Sequence, residues 1–230
     1  MTNPQLLEAL RSFDTPTICN ALERVAPERT GYGYTTRPLV CVRPELPPIV
    51  GYARTATIRA VQPSAGGAAA DREARLAYYQ SIAAPPHPTI TVIEDLDPAP
   101  GFGAWWGEVH THVHRGLGSL GVVTNGSARD LDQLAEGFQV LAGNVAPSHA
   151  YVHPVAWDIP VTVHGMQVRP GDLVHADRHG AVVIPDDVAA EVPEAAAAIA
   201  KGESVLIEAS KKPDFDFEML RSLITGAGDH

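Results

Sequence analysis

Residues 119–143, SLGVVTNGSARDLDQLAEGFQVLAG, decide the fold. LGVV (120–123) is a short unbroken apolar run of strand length, and the pair Asn125-Gly126 behind it is turn chemistry. RDLDQLAEG (129–137) reads as a short helix closed by Gly137, and FQVLAG (138–143) as the next strand. A strand, a helix and a strand in such quick succession call for a mixed or largely parallel sheet covered by helices. The fold class is therefore α/β.

The elements on either side keep that alternation. FDTPTICNALERV (13–25) offers Asp14 or Thr15 as N-cap and Pro16 in the first turn of a helix. GYGYTTRPLVCVRPELPPIV (31–50) is too rich in proline for a central strand, whereas ARTATIRAV (53–61) alternates like one. Residues 68–84 are helix formers throughout, and PPHPTITVIED (85–95) stops that helix and supplies a strand ending in acids. GFGAWWGEVHTHVHRGLG (101–118) reads as loop then helix. After Tyr151 short strands follow one another with Gly and Asp turns, which predicts a β-rich segment or small barrel. Asp186 is placed to cap an alanine-rich helix that Pro193 bends or restarts, and a last helix is expected over residues 215–224. With no internal repeat and no long linker, residues 1–230 read as a single domain.

Bulk properties narrow the function. The chain is 45% hydrophobic and 19% charged, ordinary values for a globular protein. A net charge of −10 with no Lys/Arg cluster argues against a nucleic-acid surface, which depends on grouped cations. No run is long and apolar enough to span a bilayer, so no membrane partner is expected. MTNPQLLEALRSF lacks the basic and then apolar regions of a secretory leader, so the expected location is cytoplasmic. Cys19 and Cys41 form neither a CxxC pair nor a disulfide framework.

Ligands of open α/β sheets bind beyond the carboxyl ends of the strands. There Arg129 can pair with a substrate carboxylate through two hydrogen bonds, and Asp130 offers a hard oxygen ligand to Mg²⁺ or Mn²⁺. The plainer alternative is that Asp130 caps the following helix while Arg129 is solvated. A second segment adds weight to the functional reading. GAWWGE (103–108) reads as a glycine-rich turn whose free amides open a helix and form an anion pocket, with Glu108 beside it.

GAWWGE, GLGSLGVVTNGSARD (116–130) and VRPGDLVHADRHGAVVIP (168–185) together resemble the RraA-like family, which includes class II pyruvate aldolases, the 4-hydroxy-4-methyl-2-oxoglutarate aldolases. The likeness runs from TPTICNAL (15–22) to the C-terminal helices. It implies a β/β/α core in a homotrimer or hexamer with active sites between subunits. It also implies that Arg129 holds the pyruvyl carboxylate, that Asp130 binds Mg²⁺ or Mn²⁺, and that Glu108 orients metal-bound water. Gly103, Ala104, Trp105, Trp106 and Gly107 would line the substrate site, and Glu203 matches a glutamate contributed by a neighbouring subunit. Asn125 and Asn20 stand where family members commonly have aspartate.

The activity so implied is cleavage of a small 4-hydroxy-2-keto acid to pyruvate, with decarboxylation of oxaloacetate reaching the same enolate. The family also holds non-catalytic regulators that bind a partner such as a ribonuclease, and this is the alternative. Among other motifs, HTHVH (110–114) looks like a zinc cluster, but on a helix only His110 and His114 share a face. Asp172, His175, Asp177 and His179 lie in turn-forming sequence and read as structural. GYGY (31–34) and SAGGAA (64–69) lack the following GK[ST] of a phosphate loop.

Overall fold

Two helices, each begun by a side-chain cap, open the chain in a computed structural model that describes residues 3–226. Asn3 accepts from the Leu6 amide ahead of α1 (Pro4–Arg11), and Asp14 accepts from the Thr17 amide ahead of α2 (Thr15–Val25). The cap and the proline put α2 where the sequence places it; α1 is an addition to the expected elements. A short β1 (Val40–Cys41) follows the proline-rich stretch, and β2 (Ile49–Arg59) starts four residues before the alternating pattern. Next come α3 (Gly67–Ala83), β3 (Thr89–Asp95), β4 (Ala104–Trp106), α4 (Glu108–Gly116), β5 (Ser119–Ala128) and β6 (Gln139–Val145).

Five strands follow with no helix between them: β7 (His153–Trp157), β8 (Val161–Val163), β9 (Met166–Val168), β10 (Leu173–Asp177) and β11 (Gly180–Ile184). Helices α5 (Val192–Ser210) and α6 (Phe217–Gly226) close the described chain.

The main sheet has the order β1-β6-β5-β3-β2-β10-β11, with β4 also paired to β5 and β7 to β2. Its centre, β2, β3, β5 and β6, is parallel, and the flanking pairs are antiparallel. Parallel strands need cover on both faces, which accounts for the nearly unbroken burial of β2, β3 and β5, polar residues included. Beneath α3 and α4, Tyr78, Ile82, Ile93, Trp106 and Phe138 pack together. On another face the β8–β9 hairpin inserts Val161, Val163, Met166 and Val168 against Ile90, Val92, Val123 and Leu141. Leu10, Ile18, Leu22 and Val192 seal a third cluster over Val50 and Ile184. Each such side chain contributes about 1.5–3 kcal/mol when fully buried. The expected β-rich segment is thus divided: β7, β10 and β11 extend the main sheet and only β8–β9 stands apart.

Three local expectations are corrected. Asn125-Gly126 does not turn the chain, because β5 continues to Ala128 and absorbs the pair as an irregularity between Thr124 and Ser127. The side chain of Asn125 is engaged instead, accepting from the Asp95 amide at 2.7 Å and donating to the Asp95 carbonyl at 3.1 Å. The reversal comes at Asp130, whose backbone is left-handed (φ 52°, ψ 42°), and only a single 3₁₀ turn, Leu131–Gln133, follows it. Asp186 caps nothing: residues 186–191 are turns, and α5 begins at Val192 with Pro193 in its first turn, where a missing N–H leaves no helical bond unmade.

Beyond its first turns α5 leaves the body of the protein, exposing Val205, Leu206 and Ile207, and α6 exposes Phe217 and Ile224. No helix among the described residues is long and apolar enough to cross a membrane.

Candidate functional site

Arg129 and Asp130 stand one step past the carboxyl end of β5, against the start of α4. The Arg129 amide donates to the Trp106 carbonyl at 2.8 Å, tying this corner to β4. The left-handed turn at Asp130 then swings its carboxylate back over the helix start. Its Oδ2 accepts from the Glu108 amide at 3.3 Å and lies 3.4 Å from Arg129 Nε. Aspartate is among the few residues that tolerate that backbone region, and its short side chain makes the reach local.

Gly107 is what lets the pieces meet. A Cβ there would sit 2.5 Å from Asp130 Oδ2 and 3.1 Å from Arg129 Cγ. Neither charged side chain is sealed: Arg129 is 35% and Asp130 33% exposed. Both line one cavity of about 210 Å³.

Not all of GAWWGE faces that cavity. It is no turn: Ala104 and Trp106 pair in parallel with Ser127 and Ala128, making the segment a buried strand. Strand alternation directs Trp105 to the cavity and Trp106 to the core, where it stacks on Phe138 and packs against His114. Ala104 and Gly107 line the cavity, but Gly103 does not. Its missing side chain accommodates the His149 carbonyl, which would lie 2.6 Å from a Cβ. The expected pocket of free amides is also changed, since Asp130 already occupies the Glu108 amide. The Glu108 side chain is exposed in the first turn of α4, at the rim of the cavity instead of in its wall. Glu203 is exposed on α5. Asn20 is exposed on α2, and Asn125 serves the β3–β5 junction.

The rest of the wall was not foreseen from sequence. Arg75 comes from α3, Val109 and His110 from α4, and His149 and Val152 from the segment after β6. His110 stacks on Trp105 with ring centroids 4.2 Å apart, and its Nδ1 lies 3.0 Å from the Tyr79 hydroxyl. Burial first, then the charges of Arg75 and Arg129, push its pKa down to about 4, so the ring is neutral at pH 7.

His114, one turn further on, faces the core. Its Nδ1 is 2.6 Å from the His110 carbonyl and its Nε2 is 2.6 Å from the Tyr78 hydroxyl, so both nitrogens are committed. Burial pushes this pKa down to about 3. His112 is exposed and bonds the Glu108 carbonyl. The three histidines therefore point to three environments, and among the described residues no group of three His, Cys, Asp or Glu side chains is placed to hold a metal.

The other polar cluster braces the fold. His175 is fully buried, with Nδ1 3.0 Å from Thr15 Oγ1 and Nε2 3.0 Å from the Phe13 carbonyl. Asp177 accepts from the Thr15 and His179 amides, so β10 holds the start of α2. Both cysteines are free, and burial pushes the Cys19 thiol up to about 11.

Comparison with known proteins agrees with this architecture. A Burkholderia mallei protein provisionally named 4-hydroxy-4-methyl-2-oxoglutarate aldolase is 40% identical over 77 residues, 32% of this chain and 46% of that protein. Protein DlpA of Legionella pneumophila is 28% identical over 90 residues, 38% of this chain and 15% of its own. Both alignments span less than half of the relative's length. Among solved structures, an uncharacterized Pseudomonas syringae protein superposes with TM-score 0.74 at 23% identity, covering 97% of this chain and 95% of its own. Streptomyces coelicolor RraAS2, described as an unusual member of the RNase ES inhibitor RraA protein family, gives 0.69 at 23% identity over 89% and 96%. These likenesses establish the fold. The family described as RraA-like, Aldolase/RraA, matches residues 15–183, well over half of the 230-residue sequence, and the chain belongs to it.

Proposed function

We propose that the protein is a divalent-metal-dependent lyase that cleaves a small 4-hydroxy-2-keto acid to pyruvate and also decarboxylates oxaloacetate. One observation carries this reading: a guanidinium and an adjoining carboxylate, 3.4 Å apart, line the same cavity at the carboxyl end of the parallel sheet. The partial alignment with an aldolase-named relative supports the same chemistry.

The donor set fits Mg²⁺ or Mn²⁺. Asp130 Oδ1 makes no hydrogen bond among the described residues, and Gly107 keeps the space beside that carboxylate clear. Magnesium needs only one or two carboxylates, completed by water and substrate, so the absence of a protein-only cage is no obstacle. Asp130 would hold the ion directly and Glu108 through water. When bound, the cation supplies Lewis acidity at the substrate's keto oxygen.

The chain's own residues do the rest. Arg129 has its Nε toward Asp130, and its terminal nitrogens have no other partner among the described residues, which leaves them to grip the pyruvyl carboxylate as a fork. Loss of the 4-hydroxyl proton to solvent and scission of C3–C4 release the remote half as a carbonyl compound and send the electron pair into the pyruvate enolate, whose charge Arg129 offsets until a proton from water converts it to pyruvate. Trp105 gives that cavity one apolar wall.

The exposed apolar side chains of α5 and α6 favour association, and we place Glu203 in a neighbouring subunit's site within a homotrimer or hexamer. The test is pyruvate release from a panel of 4-hydroxy-2-keto acids and oxaloacetate, with Mg²⁺ and with EDTA. Turnover that EDTA abolishes and Mg²⁺ restores is expected. A purely regulatory protein would release no more pyruvate than a protein-free control with the same metal.

A further inference from the structure

His110 and Arg75 are absorbed by neither the metal-binding nor the carboxylate-gripping role, yet both line the cavity that holds Arg129 and Asp130. His110 is fixed on two sides. Its ring stacks on Trp105, and its Nδ1 is taken by the Tyr79 hydroxyl, so rotation is restrained and Nε2 remains without a hydrogen bond among the described residues. Tyr79 and Arg75 sit four residues apart on α3, on one face of that helix. Arg75 has neither an ion-pair nor a hydrogen-bond partner among the described residues, although it lies close enough to His110 to act on its charge state. An unpaired cation and a held imidazole are therefore offered to a space whose other wall already holds one substrate carboxylate.

We infer that Arg75 and His110, with Tyr79 positioning the imidazole, form the subsite for the half of the substrate remote from Arg129, and that they select a remote half carrying a carboxylate and a neighbouring oxygen. Arg75 makes a charge-assisted bond to that carboxylate, and His110 Nε2 hydrogen-bonds the oxygen. Helix α3, together with His110 of α4, is thus a specificity element distinct from the Arg129–Asp130 pair that performs the chemistry. This rests on the keto-acid reading above, because it presumes that Arg129 and Asp130 hold the other end.

Two keto acids that retro-aldol cleavage cannot consume separate the two ideas. 2-Oxoglutarate and 2-oxobutyrate share the keto-acid end, and only the first carries a second carboxylate. Binding of each to the full chain with Mg²⁺ is measured by calorimetry. The wild type is expected to bind 2-oxoglutarate at least about tenfold more tightly, the size of one partly exposed charge-assisted bond. Arg75→Ala should erase that preference while leaving 2-oxobutyrate affinity in place, and Arg75→Lys should restore part of it. Arg75 is exposed, so its replacement does not threaten folding. A preference that survives Arg75→Ala, or an equal loss for both ligands, overturns the subsite and leaves the keto-acid reading standing. Failure of the wild type to bind either ligand overturns both.

Discussion

Gly107 leaves room for Asp130 by having no side chain: a Cβ on Gly107 would stand 2.5 Å from the Asp130 carboxylate. Gly107 has φ −154°, ordinary extended backbone, so its importance is steric and not conformational. Gly107→Ala should therefore fold. Its methyl group should displace Asp130 from the Glu108 amide and lower pyruvate release by about tenfold or more, the effect of a misplaced charged ligand. Thermal melting followed by circular dichroism should move by only a few degrees. Full activity in the variant would show that Asp130 need not lie where it does.

The side-chain amide of Asn125 bonds both the N–H and the C=O of Asp95. Asn125→Asp keeps the acceptor and loses the donor. It also brings a second negative charge to Asp95, whose own carboxyl burial already pushes up. A loss of about 1–3 kcal/mol in urea unfolding is expected, the size of one buried bond left unmade. An equally stable variant would mean that the Asp95 carbonyl finds another donor.

His114 makes the fold sensitive to acid. Burial depresses its folded pKa to about 3 from the ordinary imidazole value of 6.5, so the unfolded chain takes up the proton first. The stability from keeping this ring neutral is complete above about pH 6.5 and drains away as pH falls toward about 3, by up to about 1.4 kcal/mol per pH unit. His110 and fully buried His175, also depressed, add to the slope, whereas Asp95, raised, opposes it at the acid end. Urea unfolding at pH 7 and pH 5 should show the decline, and His114→Gln, which keeps hydrogen-bonding groups but does not titrate, should flatten it. An unchanged slope would place the proton uptake elsewhere.

Much of this was legible in the chain because it is encoded locally. Asp14 and Pro16 announce α2 through capping and fixed φ, and the apolar runs of β3, β5 and β6 announce buried parallel strands. The Arg129-Asp130 step at a strand end pointed to the cavity that both residues line for the same reason. What was hidden depends on distant partners. Asn125-Gly126 has turn chemistry, but a strand neighbour, Asp95, claims its side chain and keeps it in β5. Trp105 and Trp106 are equal in composition and opposite in fate, because pairing with β5 turns GAWW into a strand. Arg75 reads as one more helix-forming residue; only the packing of α3 beside α4 reveals it as part of the cavity wall.

The central claim is that Arg129 and Asp130 act as one unit on one bound keto acid, and a double-mutant cycle on pyruvate release tests it most directly. Arg129→Ala and Asp130→Ala should each cost about a hundredfold or more in kcat/KM, and the double variant should be little worse than either, since a unit is lost once. Wild-type turnover in either single variant, or losses that multiply in the double, would contradict it.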